Sequence, residues 1–111
     1  MNRDELLMQA KANFDRALKI MEAKNSDYSK EHNGFENFVR VGYISGQSVE
    51  RVFLNHLATK MVRLENLVSK MERGESAAVK DESIEDTLLD NINYLNIMLS
   101  WFQSKKKRVD L

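Results

Sequence analysis

Three groups of residues in this 111-residue chain have the types and spacing to do chemistry. The first is His56, Lys60 and Arg63. Successive helical residues are about 100° apart, so His56 and Arg63, at i−4 and i+3 from Lys60, share its side of a helix. Phe53, Leu57, Leu64 and Leu67 lie on that side too, which makes a lysine there an anomaly. A cationic strip bordering a core suits a phosphate, because Lys supplies a point charge, Arg a bidentate fork and His a donor. The competing structural reading has Lys60 extending its head to the core's edge and Arg63 pairing with a carboxylate of a neighbouring helix.

The second group is Glu82, Asp86, Asp90 and Asn93, recurring at i, i+4, i+8 and i+11 on one face of a helix. Oxygen ligands converging from such a ribbon could hold a divalent cation. The same rotation arithmetic sets the ribbon opposite an apolar stripe of Ile84, Leu88, Leu95 and Leu99, so by itself it reads as a solvated face. Leu89, Ile97 and Trp101 flank it and imply that a ligand or a partner subunit covers part of it. The third group mixes aromatic planes with amides: Asn25, Asp27, Tyr28, His32, Asn33, Phe35 and Asn37. Bases are held by stacking and edge hydrogen bonds, so this segment beside a cationic strip could grip a nucleoside. An ordinary turn carrying two core aromatics would have the same composition.

Other chemistries are excluded by what is missing. The absence of cysteine rules out a disulfide scaffold, a thiolate zinc site and a cysteine nucleophile. Two histidines 24 residues apart do not make a zinc site. There is no Gly-rich phosphate loop, G-x-S-x-G or nucleophile triad. Lys+Arg and Asp+Glu both number 17, and zero net charge argues against bulk capture of long nucleic acid. No apolar run approaches the roughly 20 residues of a membrane span, and Met1 to Ala10 lacks a signal peptide's apolar centre. A cytoplasmic protein with no membrane partner is expected.

The elements that must position these groups read as helices. With no Pro, four Gly and 31% charged residues, nothing rivals the helical periods, and an all-α fold in a single domain over residues 1–111 is expected. A first helix is predicted over Arg3 to Lys24, opened by a capping pair of Asn2 and Glu5, with Leu6, Leu7, Ala10, Phe14, Ala17, Leu18 and Met21 on one face. The turn-rich stretch to Asn33-Gly34 predicts a loop or lid over 25–36. A short helix follows over Phe35 to Tyr43, closed by Gly42 and Gly46. A second long helix is predicted from Ser48 to Arg73, with Gly74 just past its end. A third is predicted from Glu82 to Lys105, with Ile84, Leu88, Ile92, Leu95, Leu99 and Phe102 buried. Their short connection makes the last two antiparallel neighbours. The basic tail over 105–111 reads as cations at a helix's carbonyl end, followed by fraying. Nine aromatics are generous for three long helices, so a symmetric homo-oligomer completing a larger bundle is expected.

Four stretches taken in order carry a family resemblance: KNSDY at 24–28, FENF at 35–38, K-x-x-R-L-x-N-L at 60–67, and DESIEDTLLDNINY at 81–94. The set resembles small phage-type helical proteins of the nucleotide-modification-associated family, which are similar to the MazG-like all-α nucleotide pyrophosphohydrolases. Glu82, Asp86 and Asn93 match the third MazG-type motif. The resemblance implies a MazG-like, usually oligomeric bundle holding a nucleotide between helices, with Mg²⁺ in catalytic members, and a host-cell cytoplasmic setting if the chain is phage-encoded. That family's second carboxylate cluster, E-E-x-x-E, is replaced here by a helix bearing His56, Lys60 and Arg63, with Glu50 and Glu65 as acids on that stretch. Cations in place of a metal cluster reverse the local charge logic.

The expected function is therefore sequestration of a phosphate-bearing nucleotide, a cyclic or ADP-ribose-derived immune signal, without turnover or cofactor. The expected ligand-binding set is His56, Lys60, Arg63, Asp27, Tyr28, Asn37, Phe38 and Asn93. One alternative is a Mg²⁺-dependent nucleoside-triphosphate pyrophosphohydrolase with Glu82 and Asp86 catalytic and Glu82, Asp86 and Asp90 on the metal. The other is a purely structural oligomerisation module.

Overall fold

The computed structural model describes residues 1–28, 34–75 and 83–109, with the side chains of 25–28, 83 and 107–109 outside the description. Four helices and no strand are present among the described residues: α1 Arg3–Tyr28, α2 Glu36–Ser45, α3 Val49–Glu72 and α4 Ser83–Val109. The all-α expectation holds. None of these helices is long and apolar enough to cross a membrane.

The helix ends follow local chemistry. The Asn2 side chain accepts from the Glu5 amide at 2.9 Å and Glu5 accepts from the Asn2 amide at 3.1 Å, the reciprocal pair expected. Ser48 caps α3 by accepting from the Arg51 amide at 3.1 Å. α2 ends not at Gly42 but at Gly46, whose φ of 69° lets the Gln47 amide reach back to the Gly42 carbonyl at 2.9 Å. Gly42 instead serves close approach, since a Cβ there would stand 2.8 Å from the Gln47 carbonyl oxygen.

Two predicted boundaries move outward. α1 continues through residues 25–28, the first part of the expected loop, because Asn, Ser and Asp each cost a helix only ~0.7 kcal/mol and no Gly or Pro intervenes before Gly34. α4 runs through the basic tail to Val109, because Lys and Arg are good helix formers and cations suit a carbonyl end.

α3 and α4 pack most extensively and run antiparallel: Glu50, at the start of α3, meets Trp101 and Lys105 near the end of α4, while Lys60 meets Asp90. α1 lies along the other flank of α4, with Arg16 at Glu85 and Lys24 at Asp90. α2 rests on α3. The fully buried apolar core among the described residues is thin, namely Ala17, Val52, Phe53 and Leu89.

The faces of α4 are the main departure from expectation. Leu88, Leu95, Leu99 and Phe102, expected inside, are 44–55% exposed, whereas Asn91 and Asn93 are buried and Asp90 faces the groove between α1 and α3. The ribbon and the stripe do lie on opposite sides, but it is the ribbon's Asp90 and Asn93, with Leu89, that pack, while Asp86 is exposed. Polar residues can occupy the packed face because most of their atoms find partners: Asn93 donates to the Ala17 carbonyl at 2.9 Å, and Asp90 takes two ammonium groups.

Candidate functional site

The groove between α1 and α3, floored by α4, gathers most of the chemistry. His56 of α3 stacks on Tyr94 of α4 at 4.9 Å between centroids and 11° between planes. Phe38 of α2 meets both rings edge-on, at 5.8 Å from His56 and 6.3 Å from Tyr94, and lies against the buried Phe53 at 4.6 Å. A turn beyond His56, the Lys60 ammonium sits 3.1 Å from one oxygen of Asp90, and Lys24 of α1 sits 3.3 Å from the other. One carboxylate thus ties three helices together.

The electrostatics of this node differ from a bare cationic strip. Burial, with the charge of Lys60 adding to it, pushes the His56 imidazole below its ordinary 6.5, so it is neutral at neutral pH and offers one N–H rather than a charge. Burial pushes the Asp90 carboxyl up, but hydrogen bonds from Lys60 and Lys24 and their charges outweigh it, and Asp90 lies below its ordinary value. Lys60 is therefore paired with a neighbouring helix's acid, the partnership the structural reading assigned to Arg63. Arg63 is exposed and makes no ion pair among the described residues.

The remaining expected site residues divide. Asn93 is buried against α1, its amide nitrogen on Ala17 and its Oδ1 without a hydrogen-bond partner. Asn37 is exposed on α2. Asp27 and Tyr28 belong to the last described turn of α1, and their side chains, with all of His32, Asn33 and Glu82, lie outside the described residues. Asp86 is exposed and stands 3.9 Å from Arg16, which contacts Glu85 more closely at 3.3 Å. Among the described residues no three carboxylate or imidazole groups converge as a metal site would need.

Sequence reasoning missed Lys24 and Tyr94 as members of the node. Their signal was present: Lys24 follows Met21 by one helical turn on the apolar side of α1, and Tyr94 follows Asp90 by one turn. It also missed a cavity of about 300 Å³ between α1 and α4, walled by Leu18, Met21, Phe35, Asn96, Ile97 and Ser100. Phe35 closes one side through an edge contact with Trp101 at 5.3 Å. Met21 precedes Lys24 by one turn of α1, and Ile97 follows Asp90 by two turns of α4. An apolar cleft with two small polar groups on the α1–α4 side, together with the two lysines on Asp90, is the arrangement on which a functional reading must rest. No family model, no curated protein and no solved structure matches the chain.

Proposed function

We propose that this protein is a homo-oligomeric helical bundle that captures a small phosphate-bearing nucleotide without turning it over, in the manner suggested by its resemblance to the phage-type nucleotide-modification-associated family. The observation that carries the reading is the convergence of Lys24 and Lys60 on Asp90. Two ammonium groups on one carboxylate leave a surplus of one positive charge, with Arg63 one turn away and the His56, Tyr94 and Phe38 rings beside it. Aromatic faces suit a base, as does the apolar cavity between α1 and α4, and the cations suit its phosphates. Capture is favoured over hydrolysis because both Asp90 oxygens already serve lysines and Asp86 points toward Arg16, which leaves few carboxylate lone pairs for a metal.

The test is isothermal titration against a panel of cyclic dinucleotides, ADP-ribose derivatives and nucleoside triphosphates, with EDTA or Mg²⁺, followed by chromatography of the released ligand. An EDTA-resistant complex returning intact ligand is expected, and Lys60→Ala and Arg63→Ala should each weaken it by about 1.5 to 3 kcal/mol while leaving the helical circular dichroism signal nearly intact. Metal-dependent monophosphate plus pyrophosphate would establish the hydrolase instead. No binding across the panel would leave a structural module.

A further inference from the structure

The exposed apolar side of α4 has a regular composition. Leu88, Ile92, Leu95, Leu99 and Phe102 follow one another at intervals of four, three, four and three, the 3.5-residue repeat of a seam between two helices. No described element of the protein covers it: Leu88, Leu95, Leu99 and Phe102 are each 44–55% exposed. A helix that buries its polar side and leaves a heptad seam open is half of a helix pair.

The size of the uncovered surface points the same way. A compact monomer of 12.9 kDa exposes about 6,300 Å², whereas this chain exposes 8721 Å², roughly 2,400 Å² more. Its radius of gyration of 16.6 Å likewise exceeds the ~13 Å of a compact domain of this length. Obligate homodimers bury about 1,000 to 2,500 Å² per subunit, so the excess leaves room for one such interface, and the seam shares it with exposed apolar residues elsewhere, among them Leu6, Leu7 and Phe14 of α1 and Tyr43 and Ile44 of α2.

Charge selects the orientation. α4 begins with Glu85 and Asp86 and ends with Lys105 and Lys106, and Lys106 continues the line of the seam. Parallel pairing would set two basic ends together. An antiparallel pair centred on Leu95 sets Leu88 opposite Phe102 and brings Glu85 of one chain, an exposed residue that Arg16 contacts within that chain, beside Lys106 of the other, while Lys105 stays with Glu50. We propose that a second copy of this chain covers the seam, α4 against α4 in antiparallel sense about a two-fold axis at Leu95. This isologous contact stands apart from the nucleotide reading, since it uses the opposite side of α4 from Asp90 and Tyr94.

The test is light-scattering mass on the full chain together with disulfide trapping, for which the absence of native cysteine gives a clean background. A mass of two chains is expected at micromolar concentration, falling to one chain in Leu95→Asp with helical circular dichroism unchanged, because Leu95 touches solvent in the single chain. Mixing Leu88→Cys with Phe102→Cys protein should give the mixed disulfide in large excess over either homodisulfide. A single-chain mass for the natural protein would overturn the proposal and leave the seam to a different helical partner. A dimer that survives Leu95→Asp, or predominant Leu88→Cys homodisulfide, would overturn the face or the orientation.

Discussion

His56 lies flat against Tyr94, their planes 11° apart, with Lys60 one turn along the same helix from the imidazole. The pair makes folding sensitive to mild acid. Burial first, and Lys60 second, hold the folded imidazole below the 6.5 at which it protonates in an unfolded chain. Above that pH both states carry neutral imidazole and nothing is lost. As pH falls through 6.5 the unfolded chain takes up a proton that the folded chain refuses, so stability declines. The urea midpoint should drop between about pH 7.5 and about pH 5.5, and His56→Phe, which keeps an aromatic plane on Tyr94, should lessen the drop. An equal drop in the variant would move the effect elsewhere.

Asp90 restrains the two lysines that the proposed function needs. Asp90→Asn removes the charge and keeps the shape, so it should cost stability of about 1 kcal/mol, as expected for partly exposed pairs. In the same variant the freed ammonium groups should bind a nucleoside triphosphate or cyclic dinucleotide more tightly, by roughly tenfold. Thermal melts and titration calorimetry measure the two effects separately. Opposite signs in stability and affinity would be hard to obtain from a merely structural ion pair.

Glu50 fastens the far end of the bundle. It accepts from the Trp101 indole at 3.2 Å and pairs with Lys105, whose ammonium also lies 5.4 Å from the Trp101 ring centroid. The hydrogen bond from Lys105, a backbone hydrogen bond and that from Trp101 bring its pKa from 4.5 down to about 2. A depressed carboxylate contributes its stability above the unfolded value and loses it as pH falls through the folded value, here between about 4.5 and about 2. Trp101 is the single tryptophan, so its emission should shift across that window, and Glu50→Gln should flatten the titration.

Phe53 is the largest side chain with no solvent exposure, and Phe38 packs on it from α2. Phe53→Ala should destabilise by about 3 to 5 kcal/mol, and with so few buried apolar neighbours the cavity has little to collapse onto. A melt followed by circular dichroism that shifts by only a degree or two would show that the core lies elsewhere.

The start of α1, the start of α3 and the stop of α2 at Gly46 were legible in the sequence because Asn2 with Glu5, Ser48, and a glycine at positive φ each act within a few residues, whereas α1 and α4 run past the expected Lys24 and Lys105. The orientation of α4 was not. Period alone places Leu88 and Asp90 on different sides but does not say which side meets the rest of the chain, and the answer depended on partners distant in sequence. Lys24 and Lys60 satisfy Asp90 across 66 and 30 residues, and Asn93 finds a carbonyl in α1. The cationic strip was found by spacing, yet its net charge could not be, because spacing does not reveal that Lys60 is paired or that burial neutralises His56.

The first turns of α1 project past its contacts with α4: residues 1–9 are all exposed, Leu6, Leu7 and Met8 among them, and the first side-chain ion pair with α4 among the described residues comes at Arg16. Turns beyond the packed part of a helix are held by local propensity alone, because most helical stability in proteins comes from tertiary packing. Amide protons there should exchange with deuterium far faster than those around the buried Ala17. The end of α1 is thus a built-in gauge of fraying, readable residue by residue without any label.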